Sequence, residues 1–505
     1  MNAPAKTMFG LIDDENILAL CREDKCCFVD DNMVILTSDP DSDNLRKIVN
    51  EVKKLRHGAD PEIRLIDKKT VLQVLDSGIS NASDAEKVNG RNVVAKSTHV
   101  EERLMHILTR CIKLGGSDVH ILVKGGKTTI KSRVDGRLVE LTGTQPKEYG
   151  VELTSYIFSA FSGSEETYSP LVPNAGGFNI QINLNNQKRS WDWRSSMIPV
   201  SSSNDDNDCT KTVLRLLTPI REDIPSFSDM GMDEDHIKII DKALKQPQGA
   251  ILFSGPTGSG KTTVAMAGLS EIDEERNINT LEDPPEWSLD GVAQTRIDYG
   301  LTKKGQVRDF AYYGKVMLRQ DPDVIYFGEL RDQRGAAEFT HLSESGHLLL
   351  GTTHTSSATG IATKLVEHLR VPGVVASSPD VFSVFSHQRL ARKVCSHCSI
   401  PHEQATEEQR AILVKLLGED LGKARFKNTE GCKHCVQGEK GRTLIMEVIE
   451  LTDEDRAFIA KGDALIWRQH LINNGWKSIQ FYAKKKIRAG ICDIYSVAEQ
   501  VKELI

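Results

Sequence analysis

The stretch Ala250-Ile251-Leu252-Phe253-Ser254-Gly255-Pro256-Thr257-Gly258-Ser259-Gly260-Lys261-Thr262-Thr263 decides the fold. A short apolar run enters G-x-x-x-x-G-K-[ST] directly, in the strand, loop, helix order the motif requires. Glycines at 255, 258 and 260 let successive backbone N–H groups turn inward as an anion nest, and a helix starting near Lys261 adds the positive end of its dipole. The cradle from Gly255 to Thr263 is therefore expected to bind the phosphates of ATP. Lys261 should reach the β- and γ-phosphates, and the Thr262 hydroxyl should ligate Mg2+. A glycine-rich turn that binds nothing is the bland alternative, and the presence of every fixed position argues against it. A P-loop does not by itself name a reaction.

The acids that follow narrow the chemistry. Thr280-Leu281-Glu282-Asp283-Pro284-Pro285-Glu286, then Leu318-Arg319-Gln320-Asp321-Pro322-Asp323, lead to the apolar run Val324-Ile325-Tyr326-Phe327 and to Gly328-Glu329. Ligands of doubly wound parallel sheets bind at the carboxyl ends of the strands, so Glu329 is expected to activate water, and Glu282 or Asp283 to help hold magnesium. The aspartate that usually precedes the catalytic glutamate is replaced by Gly328. A further buried-strand pattern, Gly346-His347-Leu348-Leu349-Leu350-Gly351-Thr352-Thr353-His354, carries a histidine at each end. An isolated histidine is more often a packing residue. At the end of a sheet strand after a P-loop, His354 is expected to sense the γ-phosphate.

Working outward, 505 residues exceed one ordinary core, and 39% hydrophobic with 27% charged residues describes a globular chain of several domains. A small α/β module is expected over 1–78, with a strand pattern from Met33 to Leu36 and a helical face of Leu45, Ile48, Val49 and Val52. A polar linker is expected over 79–99. A second α/β domain over 100–220 has a helix around Leu104 to Lys113, strands near Val119–Val123 and Thr128–Val134, and a polar loop from Ser201 to Asp208. The third domain, 221–505, opens with a helix from about Asp233 whose face is Ile237, Ile240 and Leu244.

These boxes, in this order, resemble those of the type II secretion and type IV pilus assembly ATPase superfamily. GPTGSGKTT is similar to its Walker A, TLEDPPE to its aspartate box, LRQDPDVIYFGELRD to its Walker B with glycine before glutamate, and GHLLLGTTHT to its histidine box. Ser117-Asp118-Val119-His120 and Arg133-Val134-Asp135-Gly136 resemble the start of its N2 domain, and Arg194-Ser195-Ser196 with Leu214-Arg215-Leu216-Leu217 its end. The resemblance covers roughly 100–505. It implies a RecA-like ATPase domain behind a PAS-like N2 domain, a homo-hexamer, and an inner-membrane platform protein as partner. It also implies N2 arginines that reach nucleotide, so Arg194 and Arg215 become finger candidates. Tyr312 and Lys315 stand where many relatives carry two arginines, a departure that points to a type IVb or plasmid thin-pilus branch.

Cys395-Ser396-His397-Cys398 and Cys432-Lys433-His434-Cys435 are two C-x-x-C knuckles spaced for one tetrahedral Zn2+. Four thiolates close the coordination shell, so the metal is expected to be structural, with His397 and His434 incidental. It would hold an insertion at about 390–450, because Ser399 to Gly431 has too little apolar content to fix its own ends. The family's extension and secretion members carry this insertion and its retraction members lack it, which implies an assembly motor. The other six cysteines read as buried or incidental thiols.

A net charge of −7 offers no global attraction to nucleic acid or anionic lipid. The N-terminus carries acids where a leader would be basic, and no apolar run is long enough to span a bilayer, so the chain reads as cytoplasmic and attached to the inner membrane through partners. A nucleic-acid translocase is the main alternative. Its one cue, Lys484-Lys485-Lys486, reads equally as a solvated helix face, and no stable nucleic-acid binding is expected. A regulatory module that hydrolyses little is a second alternative, opposed by Glu329.

Overall fold

The computed structural model describes residues 14–30, 33–39, 45–55, 61–66, 71, 75, 91–161, 168–184, 187–201, 208–218, 223–302 and 305–504. The acid-bearing start of the chain through residue 13, the linker residues 79–90 and most of the polar loop 201–208 lie outside them. A three-stranded sheet comes first, with β1 (Cys27–Val29) antiparallel and β3 (Ile63–Leu65) parallel to β2 (Ile35–Thr37). Asp14 caps the helix Glu15–Asp24 by accepting from the Asn16 and Ile17 N–H groups. The helix Leu45–Leu55 buries Leu45, Ile48 and Val52, while Val49 of the expected face is only half-buried.

The helix expected to open the second domain differs from expectation, because it runs Arg91–Lys113 and so begins inside the stretch read as linker. Its Leu104, Ile107, Leu108 and Cys111 cover one face of an antiparallel sheet. That sheet comprises β4 (Gly116–Lys124), β5 (Lys127–Val134), β6 (Arg137–Pro146), β7 (Asn174–Leu184), β8 (Gln187–Pro199) and β9 (Thr210–Leu216), in the order β6-β5-β4-β9-β8-β7. Strand alternation sends Trp191, Trp193, Ser195 and Met197 inward and leaves Arg194 on the open face. Arg194 lies opposite Arg215, and Arg215 opposite Asp118, so one acid and two arginines form a row across three strands.

The nucleotide motif sits in a seven-stranded sheet. Its strands are β10 (Gly249–Ser254), β11 (Ile278–Glu282), β12 (Ala293–Arg296), β13 (Val324–Phe327), β14 (Leu348–Thr353), β15 (Val384–Val394) and, after a small β16 (Ile400–Pro401) and β17 (Arg425–Phe426) pair, β18 (Glu439–Glu450). The order is β12-β11-β13-β14-β10-β15-β18, parallel except for the β15–β18 pair. Parallel strands are covered on both faces and read as unbroken apolar runs. Accordingly Ile251, Phe253, Val324, Tyr326, Leu348 and Leu350 pack on one side, and Ala250, Leu252, Ile325, Phe327 and Leu349 on the other. Glu447 of β18 is fully buried and accepts from the Ala358 N–H at 2.8 Å and the Ile479 N–H at 2.9 Å. It thereby ties the segment after His354 to the C-terminal helices.

Two expectations drawn from composition are corrected. The insertion Ser399 to Gly431 has an apolar anchor of its own: Leu413, Leu417, Leu421, Ala424 and Phe426 pack against Ile479, Tyr482, Ala483, Ile487 and Cys492. Few apolar residues suffice there because they converge on helices from outside the insertion. The lysine run is only partly a solvated face, since Lys485 is exposed and Lys484 half-buried but Lys486 is enclosed. Lys486 is buried, donates to the Gly231 carbonyl at 2.7 Å and pairs with Asp233 at 3.2 Å, and Lys485 pairs with Asp233 at 2.7 Å. At the junction of the two large sheets, Arg137 meets the buried Glu439 at 2.6 Å and Asp135 accepts from the Gly441 N–H at 2.8 Å.

Two histidines are buried within this frame. Burial pushes His236, packed on Tyr482 beside Asp233, Asp235, Lys485 and Lys486, down to about 4. His387 lies beside the end of the P-loop strand, in register with Ser254 and near Arg389, Lys261 and Arg468, and is pushed to about 3, chiefly by burial. Both folded values lie below the ordinary 6.5, so the unfolded chain takes up protons first as pH falls. Their stabilisation is complete above pH 6.5 and declines as pH falls, towards pH 4 and by about 3 kcal/mol for His236 and towards pH 3 for His387. Urea midpoints at pH 7.5 and 5.0 should show it: His236→Phe is expected to shrink the difference between the two pH values. An unchanged difference would contradict the assignment.

Candidate active site and metal centre

The loop after β10 is shaped by what lies beneath it. Gly255 has φ of +152°, and a Cβ there would sit 2.5 Å from both the Gln388 carbonyl and the Ser259 hydroxyl. Gln388, reaching up from β15, donates to the Ser259 carbonyl at 2.8 Å, and Ser254 donates to the Ser386 carbonyl at 2.8 Å. The helix Lys261–Ser270 begins at Gly260 with no side-chain cap, which leaves its first N–H groups directed at the loop's concavity. Lys261 is buried and donates to the Gly255 and Pro256 carbonyls at 3.0 and 3.1 Å. Burial pushes its ammonium down to about 8, against the pull of Glu329. An anion in the concavity would offer this cation better partners than two carbonyls, so the residues present fit a nucleotide phosphate.

Parallel pairing brings the acids to the same rim. Glu282 ends β11, is buried, and accepts from Thr280 at 2.6 Å and Gln294 at 2.9 Å; burial raises its carboxyl pKa in spite of those bonds. Asp283 follows and pairs with Arg331 at 3.1 Å and with Arg194 at 3.7 Å. Gly328 has a physical reason. Its N–H donates to the Leu281 carbonyl at 2.8 Å, and a Cβ would lie 3.1 Å from that oxygen, so a side chain would crowd β11. Leu330 is buried, which turns Glu329 and Arg331 together towards the rim. Glu329 meets the His354 Nε2 at 3.1 Å through one oxygen and the Arg331 Nε at 2.7 Å through the other.

His354 bridges the two halves. Its Nδ1 lies 2.9 Å from the Gly255 carbonyl, which can only accept, so Nδ1 carries the proton. Nε2 bonds Glu329 only when the ring holds a second proton, and burial with the Lys261 ammonium pushes the ring pKa down. Burial and Lys261 thus oppose the charged form that the Glu329 contact favours. His347, at the other end of β14, instead meets the Leu342 carbonyl at 3.0 Å and the Ser345 hydroxyl at 3.1 Å. Of the two arginines, Arg194 reaches across to Asp283, whereas Arg215 pairs with Asp118 of its own sheet at 2.9 Å.

Three participants escaped sequence reasoning. Gln388 lies 129 positions beyond the carbonyl it supports, with no local signal. Gln294 sits on the short edge strand β12. Arg331 was open to discovery, since it shares strand-like alternation with Glu329.

The four knuckle cysteines converge. Cys395, Cys398, Cys432 and Cys435 place their sulfurs within 4.8 Å of one another, with Sγ–Sγ separations of 3.8, 3.6 and 3.6 Å for the 395–432, 398–435 and 432–435 pairs. Four thiolates about 2.3 Å from one tetrahedral ion stand about 3.8 Å apart, so this donor set fits zinc. His397 and His434 pack edge to face on each other outside that cluster.

Comparison with known proteins follows the same lines. The family model described as "Type II/IV secretion system protein" matches residues 94–502. The type II secretion system protein E of Pseudomonas aeruginosa is 32% identical over 402 residues, 79% of this chain and 74% of that protein. The type IV pilus assembly ATPase PilB of the same organism is 30% identical over 438 residues, 86% of this chain and 72% of that protein. Among solved structures, the Legionella pneumophila ATPase DotB superposes with a TM-score of 0.54 at 18% identity, covering 78% of this chain and 93% of the other, which supports the RecA-like fold. The chain belongs to the Type II/IV secretion system protein family.

Proposed function

We propose that this chain is an ATPase motor of a secretion or pilus-assembly machine, acting as a hexamer on an inner-membrane platform protein to drive assembly of pilin or pseudopilin. The observation that carries the reading is the convergence of Lys261, Glu329 and His354 on one phosphate-shaped loop in a chain of this family. The names of the relatives support the process, and the tetracysteine cluster supports an assembly motor over a retraction motor. Among the described residues no helix is long and apolar enough to cross a membrane, which suits attachment through a partner. The nucleic-acid alternative loses part of its cue, since Lys486 is buried and Lys485 is already paired with Asp233.

The residues take separate roles. Lys261 exchanges the Gly255 and Pro256 carbonyls for the β- and γ-phosphate oxygens. Thr262, with Glu282 or Asp283, would hold Mg2+, which when bound neutralises phosphate charge. Glu329 takes a proton from water as its oxygen attacks the γ-phosphorus and the bond to the β-phosphate oxygen breaks, giving ADP and phosphate. His354, joined to Gly255 and Glu329, reports the state of the loop to the base. Arg194 and Arg215 stand in one row on an open sheet face, where a neighbouring domain or subunit can use them as cations for the transferred phosphoryl group.

Lys261→Ala is expected to lower turnover at least about a hundredfold with weakened nucleotide binding. Glu329→Gln should bind ATP normally and cleave it roughly a hundredfold more slowly. A phosphate-release assay with a nucleotide titration checks both, and near-normal hydrolysis by Glu329→Gln would remove it as the base.

Dilution is expected to lower turnover per chain, followed by light scattering, because an arginine supplied by a neighbour is lost on dissociation. Full activity of a monomer would contradict this, and unchanged rates in both Arg194→Ala and Arg215→Ala would remove the fingers.

Elemental analysis of protein purified without chelator should find one zinc per chain. Structural zinc supplies on the order of ten kcal/mol to small metal modules, but here the apolar anchor shares that task. Cys395→Ser should therefore lose the metal and digest faster near 390–450 while nucleotide binding survives. Metal-free protein with unchanged proteolysis would overturn the structural role.

A further inference from the structure

We infer that Arg331 is a positioning residue for hydrolysis: it locks the Glu329 carboxylate in place and couples it, through Asp283, to Arg194 on the second sheet. The inference rests on the reading of Glu329 as the base. Arg331 uses different nitrogens for its two acids, Nε for Glu329 at 2.7 Å and a terminal nitrogen for Asp283 at 3.1 Å, so it bridges both at once. That terminal nitrogen also lies 3.5 Å from the Tyr299 hydroxyl. The bridge is built into the backbone. Leu330 is buried with its N–H on the Thr352 carbonyl at 2.8 Å, and Asp332 caps the following helix by accepting from the Gly335 N–H at 2.8 Å. Residue 331 is thus held on both sides, with its side chain directed at the rim.

The chemical consequence concerns geometry. A glutamate on a loop rotates about three side-chain bonds, and a base must be held close to its productive orientation. Arg331 fixes one carboxylate oxygen of Glu329, while each oxygen keeps a lone pair for the proton of water. A guanidinium suits this task because its planar fork meets two carboxylates in fixed directions, which a single ammonium cannot do. Asp283 has a second cation, Arg194 at 3.7 Å, from the sheet that precedes the ATPase domain. A shift of that sheet moves a charge on Asp283, changes the pull on Arg331 and so reaches Glu329. The chain of contacts supplies a physical route by which approach of the second sheet affects the base without touching it.

The test uses the full-length chain and steady-state kinetics. Arg331→Gln is expected to lower kcat roughly ten- to a hundredfold, the scale of a misplaced catalytic group. KM for ATP, and affinity for a non-hydrolysable analogue, should stay within about threefold. Arg331→Lys should recover part of kcat. Placed in the Glu329→Gln background, Arg331→Gln should cause no further loss, because the residue acts only through that carboxylate. The inference is overturned by a kcat within about twofold of wild type, by an equal loss of nucleotide affinity, or by a further full-sized loss in the double variant. If Glu329→Gln alone kept full turnover, the assignment of the base would fail and the positioning role with it, whereas an inactive Glu329→Gln beside a normal Arg331→Gln would fault only the latter.

Discussion

Gly255 is the point where the phosphate loop presses against its neighbouring strand, with the Gln388 carbonyl and the Ser259 hydroxyl each 2.5 Å from where a Cβ would be. This contact fixes the height of the loop above the sheet. From it follow the two carbonyls that hold Lys261 and the one that orients His354, since all three bonds involve Gly255 or its successor. β15, which carries Gln388, is also the strand that runs out to Cys395, so the loop and the cysteine cluster share one supporting strand.

Parallel pairing does the remaining work of assembly. β11, β13, β14 and β10 lie side by side and run in one direction, so residues far apart in the chain emerge at one edge. Charge then organises that edge, with Arg194, Asp283, Arg331, Glu329 and His354 forming an unbroken series of contacts from the second sheet to the phosphate loop. Pairs this exposed contribute little to stability taken singly. Their value lies in direction, because each link constrains where the next group points.

Much of this was legible in the sequence, and for physical reasons. The P-loop strand and the strand before His354 are buried on both faces, so they read as unbroken apolar runs bounded by glycine and polar residues. Glu329 and His354 were found because each follows such a run, whereas Glu282, whose strand carries Asn279 and Thr280, was found from the acidic stretch Glu282-Asp283-Pro284-Pro285-Glu286 itself. What escaped depends on register between distant strands: Gln388 beneath the loop, the facing of Arg194 and Arg215 across β8 and β9, and the docking of Arg137 on Glu439. Composition misled where a few well-placed residues mattered. The insertion after Cys398 looked too polar to anchor itself, yet Leu413, Leu417 and Phe426 do so against helices from elsewhere in the chain. Lys486 reads in the sequence as solvent-facing charge, yet it is buried against Asp233, while Lys485 pairs with the same acid from an exposed position.

The most direct test of the phosphate cradle is calorimetric titration of the full chain with a non-hydrolysable ATP analogue and magnesium, comparing wild type with Gly255→Ala. The added Cβ has no room between Gln388 and Ser259, so the loop must rise from β15 and lose its shape. Binding at one site per chain in wild type, weakened at least about tenfold in a folded Gly255→Ala protein, is the expected result. Equal affinity in the two proteins would mean that nucleotide is held elsewhere, and would contradict the account.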